Sequence, residues 1–137
     1  MAEILLKDKI LKDLPQKNIK VSSAGFIHND EPASQPAEQL MKEWGLDLSF
    51  HLSTRVTRKL VAAQDLILTM EEEQVERILE LNEPRPHVES IISYASNGKT
   101  RGDIKDPYGC PKADYETVAT QLKELITMVV NRLQSVL

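Results

Sequence analysis

Leu66-Ile67-Leu68, inside the stretch DLILTM, is an apolar run with no alternation. A strand with one wet face alternates polar and apolar residues, whereas a continuous run is expected where helices cover both faces of a sheet. Two more candidate strands lie nearby in sequence. NIKVSSAG alternates at Ile19 and Val21 and is closed by Gly25, and HVESII carries an apolar end. Helical patterns separate all of them. Strands alternating with helices imply parallel pairing, so the expected fold class is α/β: a three-layer parallel sheet flanked by helices. Ligands bind such sheets beyond the strands' carboxyl ends. The connections after Ala24, Met70 and Ile92 are therefore expected to face one rim.

The helices can be read from their spacing. Ile4, Leu5, Leu11 and Leu14 recur at helical intervals from Ala2 to Leu14, and Pro15 ends the run. The polar segment from Phe26 to Ala33, with Pro32 inside it, reads as a loop. A second helix is expected to start at a Ser34 cap with Pro36 in its first turn. It would bury Leu40, Met41 and Trp44 and stop at Gly45. A short helix from Arg58 to Ala63 is capped by Thr57. A fourth, near Glu71 to Leu81, places Glu71, Glu72 and Glu73 at its positive end. The last, from Ala113 to Leu137, carries one stripe: Val118, Leu122, Leu125, Ile126, Val129, Val130 and Leu133.

Composition narrows the function. A chain of 137 residues, 41% hydrophobic and 28% charged, suits one globular domain spanning residues 1–137. A net charge of −4 and only 4% aromatic residues argue against nucleic acid and anionic membranes as partners. Cys110 is the single cysteine, which fits a reducing compartment. No run approaches the roughly 18 apolar residues of a membrane span, and MAEILLKDKI lacks a signal peptide's layout, so a cytoplasmic location is expected. His28, His51 and His87 share no ligand spacing, and no phosphate-cradling glycine pattern occurs. MEEEQVE reads as a solvated helix start. No metal and no cofactor are expected.

The remaining candidate chemistry sits in GDIKDPYGCP, residues 102 to 111. Asp106-Pro107-Tyr108-Gly109 has the residue order of a type I turn. It also suits a general acid: Asp106 held by a rigid proline, with Tyr108 as an aromatic wall. A partly desolvated carboxyl can keep its proton near neutral pH and pass it to a leaving oxygen. The two readings are compatible. Cys110 fails as a phosphate nucleophile. A Cys-x5-Arg loop needs an arginine at the sixth following position, where Glu116 stands, and the next arginine is Arg132.

Taken in order, MAEILLK, VSSAG, DLILTM and DIKDPYG followed by DYETV resemble the low-molecular-weight protein tyrosine phosphatase family, which includes bacterial arginine phosphatases. The resemblance runs from Met1 almost to Leu137. It implies phosphomonoester hydrolysis through a cysteinyl-phosphate, with Asp106 as the catalytic acid, Tyr108 lining the substrate cleft, and a phosphorylated protein or small phosphomonoester as substrate. One departure is large. Family members open with a strand running into Cys-x5-Arg-Ser-Pro directly ahead of the MAE. Neither that loop nor the strand, which lies mid-sheet in the family, is in these residues.

The expected result is a chain inactive as it stands, with only a weak anion site at the start of the opening helix. A missing central strand should leave two unpaired edges. Closure of the neighbours by about 4.8 Å, or self-association, would compensate. Two functions compete: a phosphatase whose nucleophile is encoded ahead of Met1, and a catalytically dead binding or oligomerising module. Arsenate reduction on the same scaffold would need more cysteines.

Overall fold

The computed structural model describes residues 1–81 and 86–137. The chain forms two compact units, one of Met1–Arg55 with Asp106–Leu137 and the other of Val56–Lys105.

The first unit is helical. It holds α1 (Ala2–Asp13), α2 (Gln35–Glu43) and α6 (Lys112–Val136), and α6 packs on both of the others. The apolar stripe read from the sequence explains the packing: Val118, Leu122, Ile126, Val129 and Val130 are all buried. Leu125 and Leu133 are only half-buried, so the stripe is narrower than its spacing suggests. Leu40 and Met41 of α2 are buried, while Trp44, expected inside, is half-buried beneath Lys123, whose Nζ lies 5.3 Å from the ring centroid. Gly45 closes α2 at φ +81, a left-handed value that costs glycine little. Ser34 is the N-cap in position, but its hydroxyl donates to Tyr115 Oη at 3.0 Å instead of serving the helix.

On α1 the sequence expectation is partly corrected. Leu5, Ile10 and Leu14 are buried, whereas Leu11 is 71% exposed. Leu11 sits one helical step, about 100°, round from Ile10, and Ile10 takes the inward position instead. Ion pairs at i,i+4 spacing, Lys7–Glu3, Lys9–Asp13 and Lys12–Asp8, brace the wetter side of α1.

The second unit holds α3 (Arg58–Ala62), β1 (Leu66–Thr69), α4 (Glu72–Glu80), β2 (His87–Ser90) and α5 (Ile91–Ala95). The two strands pair in parallel, with Leu66 opposite His87 and Thr69 opposite Ser90. Thr57 caps α3 as expected, its Oγ1 accepting the Leu60 N–H at 3.1 Å. Glu71 does not open α4 as its first helical residue. It is the N-cap, locked in a reciprocal capping box with Gln74. β2 ends earlier than HVESII suggests. Ser90 Oγ accepts the Ser93 N–H at 3.3 Å and starts α5 there, so Ile91 and Ile92 are helical.

Two further expectations change. Leu66, Ile67 and Leu68 are half-buried, not covered on both faces. Ile19–Val21 forms no strand: the Ile19 N–H bonds the Lys17 carbonyl at 3.1 Å, and the nearest pairing is an isolated parallel bridge, Gly25 to Arg55. Alternation marks a segment able to pair, but a strand exists only with a neighbour to complete its ladder. Among the described residues the sheet has two strands.

Candidate active site around Asp106

Pro111 caps α6, and the short segment before it is bent tightly. The Cys110 N–H donates to the Pro107 carbonyl at 2.9 Å, closing a turn over residues 107–110 with Gly109 third at φ +80. A positive φ at that position marks a type II turn, one residue later than the type I turn read from Asp-Pro-Tyr-Gly. Asp106 stands just outside it. Its Oδ1 accepts the Tyr108 N–H at 3.0 Å, which fixes the carboxylate on the turn. Asp106 is exposed, Tyr108 is 74% exposed and the free thiol of Cys110 is half-buried.

Open space surrounds a Cβ built on Gly109, so the cost of a side chain there is purely conformational. Gly109→Ala is expected to destabilise the unit by about 1–2 kcal/mol through the left-handed backbone alone. The shift of its urea midpoint, at unchanged slope, measures this.

The other aspartate of the loop has a structural task in the second unit. Asp103 Oδ1 accepts the Glu72 N–H at 2.8 Å, and the Ile104 N–H bonds the Met70 carbonyl at 2.8 Å. Glu72 in turn accepts from Ser90 Oγ at 2.9 Å. The start of α4 is thus held from three sides. An open hollow of about 380 Å³ beside it, lined by Glu72, Glu73, Val75, Glu76 and Arg101, contains neither Asp106 nor Tyr108.

The sequence also pointed to the start of α1, where Met1 is the N-cap. Burial lowers the pKa of the Met1 ammonium, against the pull of the Glu3 charge. The anion found in this first turn is the chain's own Glu3. Its carboxylate accepts from Ser23 Oγ at 2.7 Å and from Lys7 Nζ at 2.8 Å. Burial would raise its pKa, but the bonds from Lys7 and Ser23, with the charges of Lys7 and His51, bring it below its ordinary value. Sequence reading did not bring Glu3, Ser23 and His51 together. Ser23 lies in VSSAG, and nothing in its spacing points to Glu3.

A depressed carboxylate contributes stability that is present above its unfolded pKa and lost as pH falls through the folded one. Ser23→Ala removes one donor to the charged form. It is expected to cost about 1 kcal/mol at neutral pH, a difference that shrinks as Glu3 protonates below its ordinary value of 4.5. Chemical denaturation of both proteins across acid pH tests this.

Comparison with known proteins extends the local reading to the whole chain. The family model described as low molecular weight phosphotyrosine protein phosphatase matches residues 1–136. The protein-arginine-phosphatase of Geobacillus stearothermophilus is 29% identical, over 98% of this chain and 87% of that protein. The low molecular weight protein-tyrosine-phosphatase Wzb of Escherichia coli is 29% identical over 77% of this chain and 70% of its own length. The solved YwlE arginine phosphatase from Geobacillus stearothermophilus superposes with a TM-score of 0.86 at 27% identity, covering 98% of this chain and 83% of that one. The fold is therefore the α/β fold of these phosphatases, and the chain belongs to the low molecular weight phosphotyrosine protein phosphatase family.

Proposed function

We propose that residues 1–137 act as one phosphatase-like domain carrying the acid side of a phosphomonoester hydrolase site, and that alone they do not turn over substrate. Asp106 is the general acid and Tyr108 the cleft wall. The family match along nearly the whole chain, with Asp106 fixed on its turn, is the observation that carries this reading. The thiolate it would serve is not among these residues: Cys110 is the only cysteine, and Glu116 fills the arginine's place. In the full reaction a cysteine thiolate attacks phosphorus in line, Asp106 protonates the leaving oxygen, and the same carboxylate then activates water to release phosphate. The substrate is a phosphorylated protein or small phosphomonoester, with no cofactor. The chain is read as working in the cytoplasm.

The test is turnover of p-nitrophenyl phosphate. The 137-residue chain is expected to show none, and the same chain preceded by a family strand and Cys-x5-Arg-Ser-Pro is expected to show it. Covalent phosphate on Cys110 in the chain alone would overturn the proposal.

A second reading, a catalytically silent binding module that self-associates through strand edges, draws on the sheet. A two-stranded sheet is marginal by itself, and β1 and β2 each keep one edge without a strand partner among the described residues. Sedimentation at rising concentration separates the two readings: a monomer throughout argues against the module.

A further inference from the structure

Asn97-Gly98 is the only asparagine-glycine pair in the sequence. Such a pair is chemically labile, because glycine's backbone nitrogen meets no side chain of its own on approach to the asparagine carbonyl. Here it forms the end of α5. Asn97 is left-handed at φ +59 and Gly98 at φ +79. The Gly98 N–H donates to the Ser93 carbonyl at 2.8 Å and the Asn97 N–H to the Tyr94 carbonyl at 3.2 Å. These are the two bonds of a Schellman cap, and asparagine is the usual second choice to glycine at its left-handed position. Ser96 braces the turn: its Oγ accepts the Thr100 N–H at 2.9 Å and donates to the Thr100 carbonyl at 3.1 Å.

The side-chain amide of Asn97 is exposed and makes no hydrogen bond among the described residues, so water reaches it freely. The constraint falls on the attacking atom. For the asparagine to cyclise, the Gly98 nitrogen must give up its proton and swing toward Asn97 Cγ. In the closed cap that N–H is committed to Ser93.

We propose that Asn97 is a modification site whose chemistry is gated by opening of the α5 cap. When the cap opens, the Gly98 nitrogen attacks Asn97 Cγ and a new bond forms between them. The bond from Cγ to the amide Nδ2 breaks, and ammonia leaves with the proton from Gly98. Water then opens the five-membered imide to aspartate or isoaspartate. No other reactant is needed. Isoaspartate lengthens the backbone by one carbon and adds a negative charge, so the two cap bonds cannot re-form in register. The product holds open the turn beneath buried Ile91, Tyr94 and Ala95.

The experiment incubates the folded protein and the same protein in urea at one mildly alkaline pH, and maps the peptide containing Asn97 by mass spectrometry. The expected deamidation rate in the folded protein is at least about tenfold below the denatured rate, the factor set by an opening cost of about 1.4 kcal/mol. Equal rates overturn the gate. Asn97→Gly, which keeps the left-handed cap, is expected to abolish the isoaspartate signal from that peptide. A signal that survives the substitution overturns the site.

Discussion

Asp106→Asn, made in the chain preceded by a strand and Cys-x5-Arg-Ser-Pro, is expected to lower kcat/KM for an alkyl phosphate by about 10²–10⁴-fold. Asparagine keeps the acceptor that holds the Tyr108 N–H at 3.0 Å, so the turn should survive. What it lacks is the proton for the leaving oxygen. The loss should therefore depend on the leaving group. It should be large for a poor leaving group such as an alkyl phosphate and smaller for one that departs well as an anion. Steady-state kinetics with a leaving-group series measures this. A uniform fall across the series, or none, would show that Asp106 does not protonate the departing oxygen.

Val130→Asp is expected to abolish folding of the helical unit. Val130 is fully buried on the inner side of α6, the helix on which α1 and α2 both pack. Burying an unpaired carboxylate among apolar side chains is costly. A penalty above about 4 kcal/mol consumes much of the roughly 5–15 kcal/mol that holds an ordinary domain together. Loss of cooperative thermal unfolding, with dye binding to exposed apolar surface, is the expected readout. Leu11→Asp serves as the control. Leu11 is 71% exposed, so the same kind of substitution there should change stability by less than about 0.5 kcal/mol.

That pair of leucine and valine positions shows what spacing conveys. A helix long enough to repeat its pattern, such as α6, averages out ambiguity, and its inward residues stand out. On the shorter α1, Ile10, Leu11 and Leu14 fit more than one face, and only the neighbour that covers the helix decides between them. Local stops and starts were legible for a different reason. Thr57 and Gly45 do their work within a few residues, whereas the expected Ser34 cap is drawn away by Tyr115, 81 residues distant. The segment Ile19–Val21 fails for the opposite reason, because its state depends on a partner that its own residues do not specify.

The candidate site divides in the same way. The turn carrying Asp106 and Tyr108 is written into Asp-Pro-Tyr-Gly, although its phase shifts by one residue when Gly109 takes the left-handed place. Asp103, the other aspartate of the loop, is occupied by the Glu72 N–H. That bond joins residues 31 apart in the sequence, a separation at which local propensity is silent. The gathering of Ser23 and His51 around Glu3 is likewise tertiary, whereas the Lys7 contact is local, at i,i+4 spacing.

Trp44, the only tryptophan, belongs to the unit containing α6 and lies half-buried under the Lys123 ammonium. Indole emission from this protein is therefore a one-sided signal, reporting the helical part and blind to the melting of the strands. A spectroscopist who follows only that emission will record a clean single transition even when the remainder has already dissolved. Far-ultraviolet dichroism taken on the same sample reveals the mismatch, because coincidence of probes is the mark of a single cooperative transition.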